Sequence, residues 1–213
     1  MNTLLPRLRM AAWLAVTVVV TPPFAIACLL VFPLLPTPRR FAMVRLWNGF
    51  TLWLARALCG VRWEIRGAEH LHGHGKRSVV VLAKHQSAWE TIAFIWLLPR
   101  AVCYVFKREL LQIPFFGWTL WMLNMIHIDR SAGIRAFASV IKQGKQRLAE
   151  GCWIAMFPEG TRTAPGTQGQ YKSGGARLAI EAGALVLPIA HNAGRCWPRG
   201  GAMRPGLITV SIG

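Results

Sequence analysis

Ser78-Val79-Val80-Val81-Leu82-Ala83 is an unbroken apolar run that stops at Lys84-His85-Gln86-Ser87, and helical spacing follows over residues 88–98. A short β-branched run, a polar break and a helical pattern predict a buried strand, a turn and a helix. The same alternation recurs to either side. Residues 61–66, 102–106, 125–128, 153–157, 185–190 and 206–213 read as strands. Helical patterns fall at about 115–124, 132–149 and 174–183. In the segment 132–149, Ile134, Phe137, Ile141 and Leu148 share one side, and Lys142, Lys145 and Arg147 are placed for solvent. Strands alternating with helices predict an α/β domain over residues 61–213, with a mixed, largely parallel central sheet flanked by helices.

Polar residues of chemical interest sit directly after these strands. His85 follows the first run, Lys107-Arg108-Glu109 follows 102–106, Asp129-Arg130 follows 125–128, and Pro158-Glu159-Gly160-Thr161-Arg162 follows 153–157. Sites in α/β sheets collect at the carboxyl ends of strands. Four segments distant in sequence therefore converge if their strands run parallel.

His85 and Glu90 are five residues apart, and a regular helix rotates by about 140° over that distance. They meet only if His85 lies in the turn and Glu90 in the first turn of the helix. Ser87 is placed as an N-cap with Glu90 at N3, which is the pattern of a capping box. The spacing supports both that structural role and a carboxylate-held imidazole acting as a general base. No G-x-S-x-G is present, so the proton such a base removes belongs to a substrate hydroxyl. Lys107, Arg108, Arg130, Arg162 and Lys172 supply cations, and Gly160-Thr161 supplies N–H and hydroxyl donors, a set that suits phosphate. The same cations also read as solvated surface charge. The stretch 163–175, TAPGTQGQYKSGG, is loop-like and suited to closing over a ligand. His70, His72 and His74 alternate with residues that favour a turn, and they read as a solvated loop in preference to a metal site.

The chain of 213 residues carries 25 Lys+Arg against 8 Asp+Glu, a formal charge of +17, with 54% hydrophobic residues. Such a balance fits an anionic membrane surface or an anionic solute or macromolecule. No recognition-helix or RNA-binding pattern is present, so nucleic acid is not expected as a partner. Five dispersed cysteines predict buried reduced thiols. Residues 10–38 contain no charge and are long enough to span a bilayer. Pro22-Pro23 also allows two shorter helices that dip in and return, and a buried core hairpin is a third reading. Arginines flank both ends, which favours a hairpin with both ends on one side. Residues 39–60 read as a basic, Trp- and Leu-rich helix ending at Gly60, suited to an interface. Residues 1–60 are thus expected to anchor the chain and 61–213 to form the domain. The closing strand has no terminating segment, so a continuation beyond residue 213 is expected.

Four segments together resemble the bacterial lysophosphatidic acid (1-acyl-sn-glycerol-3-phosphate) acyltransferases of the glycerolipid acyltransferase family. These are His85 to Glu90, "KRELLQIPFFGW" with the downstream "IHIDR", "FPEGTR", and "VLPIAHNAG" with Pro188 in place. The resemblance implies transfer of a fatty acyl group from acyl-CoA or acyl-acyl carrier protein to the sn-2 hydroxyl of lysophosphatidate. It implies His85 as base, Glu90 as its orienting acid, and Lys107, Arg130 and the Glu159–Gly160–Thr161–Arg162 loop as the holders of glycerol phosphate; Arg108 and Lys172 stay further candidates by their charge alone. It requires no metal and no bound cofactor, the thioester being a co-substrate. The expected partners are a membrane lipid acceptor and the acyl carrier, and the expected place is the cytoplasmic face of a bacterial inner membrane. Two departures stand out. Glu90 replaces the more usual aspartate, and Lys84 stands where asparagine is common, so glycerol-3-phosphate or a lyso-aminolipid stays open as acceptor. A non-catalytic basic membrane- or nucleic-acid-binding protein is the reading from another class.

Overall fold

Most of the uncharged stretch lies in one continuous helix, α1 (Leu4–Val31), which also carries Arg7 and Arg9, in a computed structural model that describes residues 4–73 and 77–213. Pro22 and Pro23 lie inside α1, so the reversal allowed at this pair does not occur there. The chain turns instead through a 3-10 turn at Phe32–Leu34 and the extended residues Leu35 and Pro36. A residue before proline is pushed out of the helical region, and Leu35 holds that position. Helix α2 (Thr37–Cys59) then runs back along α1. Phe24 stacks on Trp47 at 4.8 Å, and Trp13 Nε1 donates to the Thr51 carbonyl at 3.3 Å. Gly60, at φ +69°, closes α2 in the left-handed conformation that favours glycine. The second arm of the hairpin is therefore the basic segment itself.

Among the described residues of α1 only Thr17 and Cys28 are buried, which removes the core-hairpin reading. Its uncovered apolar side chains suit it to a membrane. Next to Leu29 of α1 stands helix α4 (Phe116–Met122), with Trp118 and Trp121 exposed. Phe115 enters α4 at φ +62°, a strained position for a bulky residue. Helix α2 differs from α1, since Leu52, Ala55 and Cys59 pack into the core with Val79, Val81 and Phe94. A division at residue 60 therefore cuts α2 from the core that it helps to build.

Among the described residues, seven strands form the sheet: β1 (Val61–Arg66), β2 (Val79–Ala83), β3 (Val102–Lys107), β4 (Ile126–Ile128), β5 (Trp153–Met156), β6 (Leu185–His191) and β7 (Gly206–Ile212). Their order is β1-β7-β6-β2-β5-β3-β4. The pairs β1/β7, β6/β2, β2/β5, β5/β3 and β3/β4 are parallel, and among the described residues the one antiparallel junction is β6/β7. Helices α3 (Trp89–Leu97), α5 (Ile134–Ala149) and α6 (Gly174–Ala182) link the parallel strands. Val79 and Val81 face one core and Val80 the other, the alternation expected of a central strand covered on both sides. All five cysteines are free and buried.

One placement on α5 differs from the periodic reading. Arg147 is buried, not solvated, with Nη1 at 2.7 Å from Glu150 Oε2. The long apolar stem packs inward and the charge finds a carboxylate one turn on. Because β2, β5, β3 and β4 are adjacent and parallel, the four polar segments that follow them share one rim of the sheet.

Gly67, at φ +77°, connects β1 to the next turn, and a Cβ there would stand 2.1 Å from the Ile212 carbonyl oxygen. Gly67→Ala is expected to cost about 2 kcal/mol of stability through backbone strain and this clash. Denaturant unfolding in detergent micelles measures the loss.

Candidate active site

The apolar strand β2 carries the chain to the rim and releases Lys84 and His85 into the turn before α3. There Glu90 serves two ends at once. Ser87 Oγ accepts the Trp89 N–H at 3.0 Å, and Glu90 Oε1 accepts the Ser87 N–H at 2.7 Å and the Gln86 N–H at 2.8 Å. The helix starts one residue later than expected, with Ala88 and not Ser87 at the N-cap, so these bonds close the turn ahead of the helix and are not a regular capping box. The same Oε1 lies 2.9 Å from His85 Nδ1. One carboxylate oxygen thus holds both the turn and the imidazole, and the extra methylene of glutamate still permits contact. With Nδ1 donating to a carboxylate oxygen, Nε2 presents a lone pair. Phe157 stacks on the imidazole at 4.0 Å and 14°, and Tyr104 stacks on Phe157 at 6.0 Å. The ring is held in its plane as well as at its edge.

Glu159 departs from its expected place. Its side chain has 0% exposure, Oε1 lies 2.7 Å from Lys84 Nζ, and Oε2 accepts the His85 N–H at 2.9 Å. Thr163 Oγ1 also donates to Oε1 at 3.1 Å, and the Thr163 N–H donates to the His85 carbonyl at 2.8 Å. A carboxylate so enclosed is not presented to a ligand. Sequence alone could not show this, because the Lys84 contact spans 75 positions. Burial works to raise the Glu159 pKa, but the Lys84 ammonium, the His85 N–H and the Thr163 hydroxyl outweigh it and hold the group below its ordinary value.

His191, at the end of β6, fixes the turn from the other side. Its Nδ1 accepts the Ala193 N–H at 3.3 Å, so Nε2 carries the proton and donates to the Lys84 carbonyl at 2.8 Å. Burial is the main cause that lowers its pKa.

His85 and Phe157 form part of the wall of a cavity of about 390 Å³. Gly160, Lys172, Ser173 and Arg177 provide its polar side, and Val105, Ile128, Phe137 and Met156 its apolar side. Arg177 lies over the Phe137 ring at 5.0 Å. Sequence reading missed Arg177, although it lies one turn into a helix opened by Ser173-Gly174-Gly175. Of the predicted phosphate ligands, Gly160 and Lys172 reach this wall. Lys107, Thr161 and Arg162 stand on the surrounding rim and do not line it. Arg108 is turned to Asp129 at 3.1 Å. Arg130 opens a short 3-10 turn, and its side chain lies outside the described part. A larger cavity, about 760 Å³, lies by Ala101, Val102 and Cys152 at the amino ends of β3 and β5, the opposite end of the sheet from His85. The candidate site is marked by the histidine and not by the volume. His70 and His72 are exposed, His74 lies outside the described residues, and no metal-binding group of three or more ligands occurs among the described residues.

Two outcomes follow from this geometry. Glu90→Ala strands two buried N–H groups and is expected to cost about 3 kcal/mol, read by denaturant unfolding. For His191, a depressed folded pKa means that the unfolded chain binds the proton more tightly. Stability is therefore full above the ordinary histidine value of 6.5 and falls as pH drops below it. His191→Gln is expected to flatten that slope in unfolding measured between pH 5 and pH 8, a span set by the usual histidine range of about 5–8.

With this geometry in place, the chain can be compared with known proteins. The acyltransferase family model matches residues 62–192. The 1-acyl-sn-glycerol-3-phosphate acyltransferase of Pseudomonas aeruginosa is 46% identical over 183 residues, covering 85% of this chain and 70% of that protein. The 1-acyl-sn-glycerol-3-phosphate acyltransferase alpha of Homo sapiens is 32% identical, over 62% of this chain and 46% of that longer protein. The crystal structure of the 1-acyl-sn-glycerophosphate (LPA) acyltransferase PlsC of Thermotoga maritima superposes with a TM-score of 0.72 over 99% of this chain and 83% of that one. At 22% identity that likeness speaks for the fold. The matched segment runs from the second residue of β1 to the residue after β6, and the chain belongs to the acyltransferase family.

Proposed function

We propose that this protein is a 1-acyl-sn-glycerol-3-phosphate acyltransferase, moving a fatty acyl group onto the sn-2 hydroxyl of lysophosphatidate to form phosphatidate. The observation that carries the reading is the Glu90-held imidazole of His85 at the wall of a cavity with one apolar and one cationic side. The name of the Pseudomonas aeruginosa relative, 1-acyl-sn-glycerol-3-phosphate acyltransferase, supports the choice of acceptor.

The steps follow from the residues present. His85 Nε2 takes the proton of the acceptor hydroxyl while the hydroxyl oxygen attacks the thioester carbonyl carbon. Glu90 steadies the imidazolium through Nδ1. The tetrahedral oxyanion collapses, the C–S bond breaks, and the departing thiolate takes the proton back from His85. The ester and the free thiol of the carrier leave. Lys172 and Arg177 are the cations placed to meet the acceptor phosphate, and the apolar wall suits the hydrocarbon beside it. The donor is an acyl thioester of CoA or of acyl carrier protein, and no metal or bound cofactor enters these steps. Helix α1 keeps the protein at the membrane where acceptor and product reside. The cytoplasmic face of a bacterial inner membrane fits the soluble thioester donor and the net charge of +17 facing anionic lipid.

Purified protein in detergent is expected to convert lysophosphatidate and a palmitoyl thioester to phosphatidate, detected by mass spectrometry against glycerol-3-phosphate and lyso-aminolipid controls. His85→Ala should lower the rate by about 10²–10⁴-fold while membrane attachment persists. Undiminished turnover would remove the base role, and equal use of a phosphate-free lysolipid would remove the acceptor assignment.

A further inference from the structure

We propose that Lys84 and Glu159 are a positioning pair for His85, in which Glu159 grips the histidine main chain and Lys84 cancels the charge of that grip at the imidazole. The inference rests on the acid/base reading of His85 and deepens it. It starts from the two carboxylates that bound the same histidine. Glu90 Oε1 lies 2.9 Å from the ring at Nδ1, and Glu159 Oε2 lies 2.9 Å from the main-chain nitrogen. Both side chains have 0% exposure, so solvent screens neither. Two uncompensated carboxylates beside one imidazole favour the imidazolium. A general base must rest unprotonated.

Both oxygens of Glu159 are needed for geometry. Oε2 takes the His85 N–H, and Oε1 takes the Lys84 ammonium and the Thr163 hydroxyl. An amide accepts on one side only, so glutamine cannot reproduce this hold. The carboxylate therefore brings a charge with it, and Lys84, at 2.7 Å and 19% exposed, supplies the counter-charge. Nζ of Lys84 also donates to the Thr167 carbonyl at 2.9 Å, which ties the loop after Thr163 to the same pair. The net charge of the pair is zero, and Glu90 is left as the carboxylate acting on the ring.

Other groups face His85 and stay constant in the test. Lys172 and Arg177 line the cavity from α6 and the loop before it. His191 lies behind Lys84 on β6, and the Tyr104 hydroxyl on β3 donates to the Glu90 carbonyl. Neither Lys84 nor Glu159 lines the 390 Å³ cavity, and the pair reaches it through the His85 main chain. A role in acceptor binding would predict something else for Glu159, namely a raised KM with little change in kcat.

The experiment compares Lys84→Met, Glu159→Gln, the double variant and Lys84→Arg in detergent micelles. Two readouts are followed, the pH dependence of kcat/KM with lysophosphatidate and the titration of His85 by NMR of ¹³C-labelled histidine, assigned by its loss in His85→Ala. Lys84→Met leaves the Glu159 charge uncancelled. The His85 midpoint is expected to rise, and the acid-side kcat/KM to fall about tenfold. Glu159→Gln leaves the Lys84 charge uncancelled, and the midpoint is expected to fall. The double variant should return to the wild-type midpoint, and Lys84→Arg should keep it. KM for the acceptor should change by less than about threefold throughout. Shifts in the same direction for both single variants, no shift in either, or a KM effect alone in Glu159→Gln would overturn the proposal. If a single variant does not fold, the double variant decides, since a displaced midpoint there overturns charge cancellation and a wild-type midpoint supports it. Absence of phosphatidate from wild-type protein would overturn the proposed activity, while the histidine titration would still judge the pair.

Discussion

One carboxylate oxygen organises the rim of this sheet. Oε1 of Glu90 gathers the N–H groups of Gln86 and Ser87 and the Nδ1 of His85 within 2.9 Å. The helix start, the turn and the imidazole are thereby parts of a single polar knot inside an apolar setting. Burying a carboxylate is costly unless donors replace its water, and here the main chain supplies two of three. The turn cannot relax without releasing the ring, and the ring cannot rotate without unpicking the helix start. Preorganisation of the imidazole is in this sense a by-product of stable folding.

Around that knot the sheet supplies direction and the second carboxylate supplies connection. The parallel run β2-β5-β3-β4 brings the turn at His85 beside the loop after β5, and Glu159 crosses between them to hold the His85 N–H. Phe157, two residues earlier, lays its ring on the imidazole from the same loop. His191 reaches in from β6 to the Lys84 carbonyl. Two neighbouring strands thus contribute three restraints on a two-residue segment.

Much of this was legible in the chain itself. The strand-turn-helix at 78–98 and the alternation that follows are period signals, and periods survive without tertiary knowledge. The four polar segments were visible as residues after strands, and a mostly parallel sheet was enough to bring them together. What escaped reading depends on partners far away in sequence. Glu159 looked like a ligand to phosphate until Lys84 and Thr163 enclosed it, and Arg147 looked solvated until its stem packed inward. The Pro22-Pro23 pair allowed a break, yet the chain reverses at Leu35-Pro36, where Phe32, Phe41 and Val44 share one buried cluster that joins the two arms. Arg177 had no motif of its own and became visible only as part of a wall.

The antiparallel junction between β6 and β7 has a further effect. It reverses β7 and β1, so β1 begins at the end of the sheet where β6 and β2 finish, and the Gly206 N–H is bonded to the Gly60 carbonyl at that end. The hairpin is accordingly spliced into the domain on the same side as the histidine. For an enzyme drawing its acceptor from the bilayer, this attachment turns encounter into a search over a surface instead of through a volume. Turnover then answers to the packing density of lysolipid in the leaflet, and dilution with inert lipid slows it even when the total amount present is unchanged.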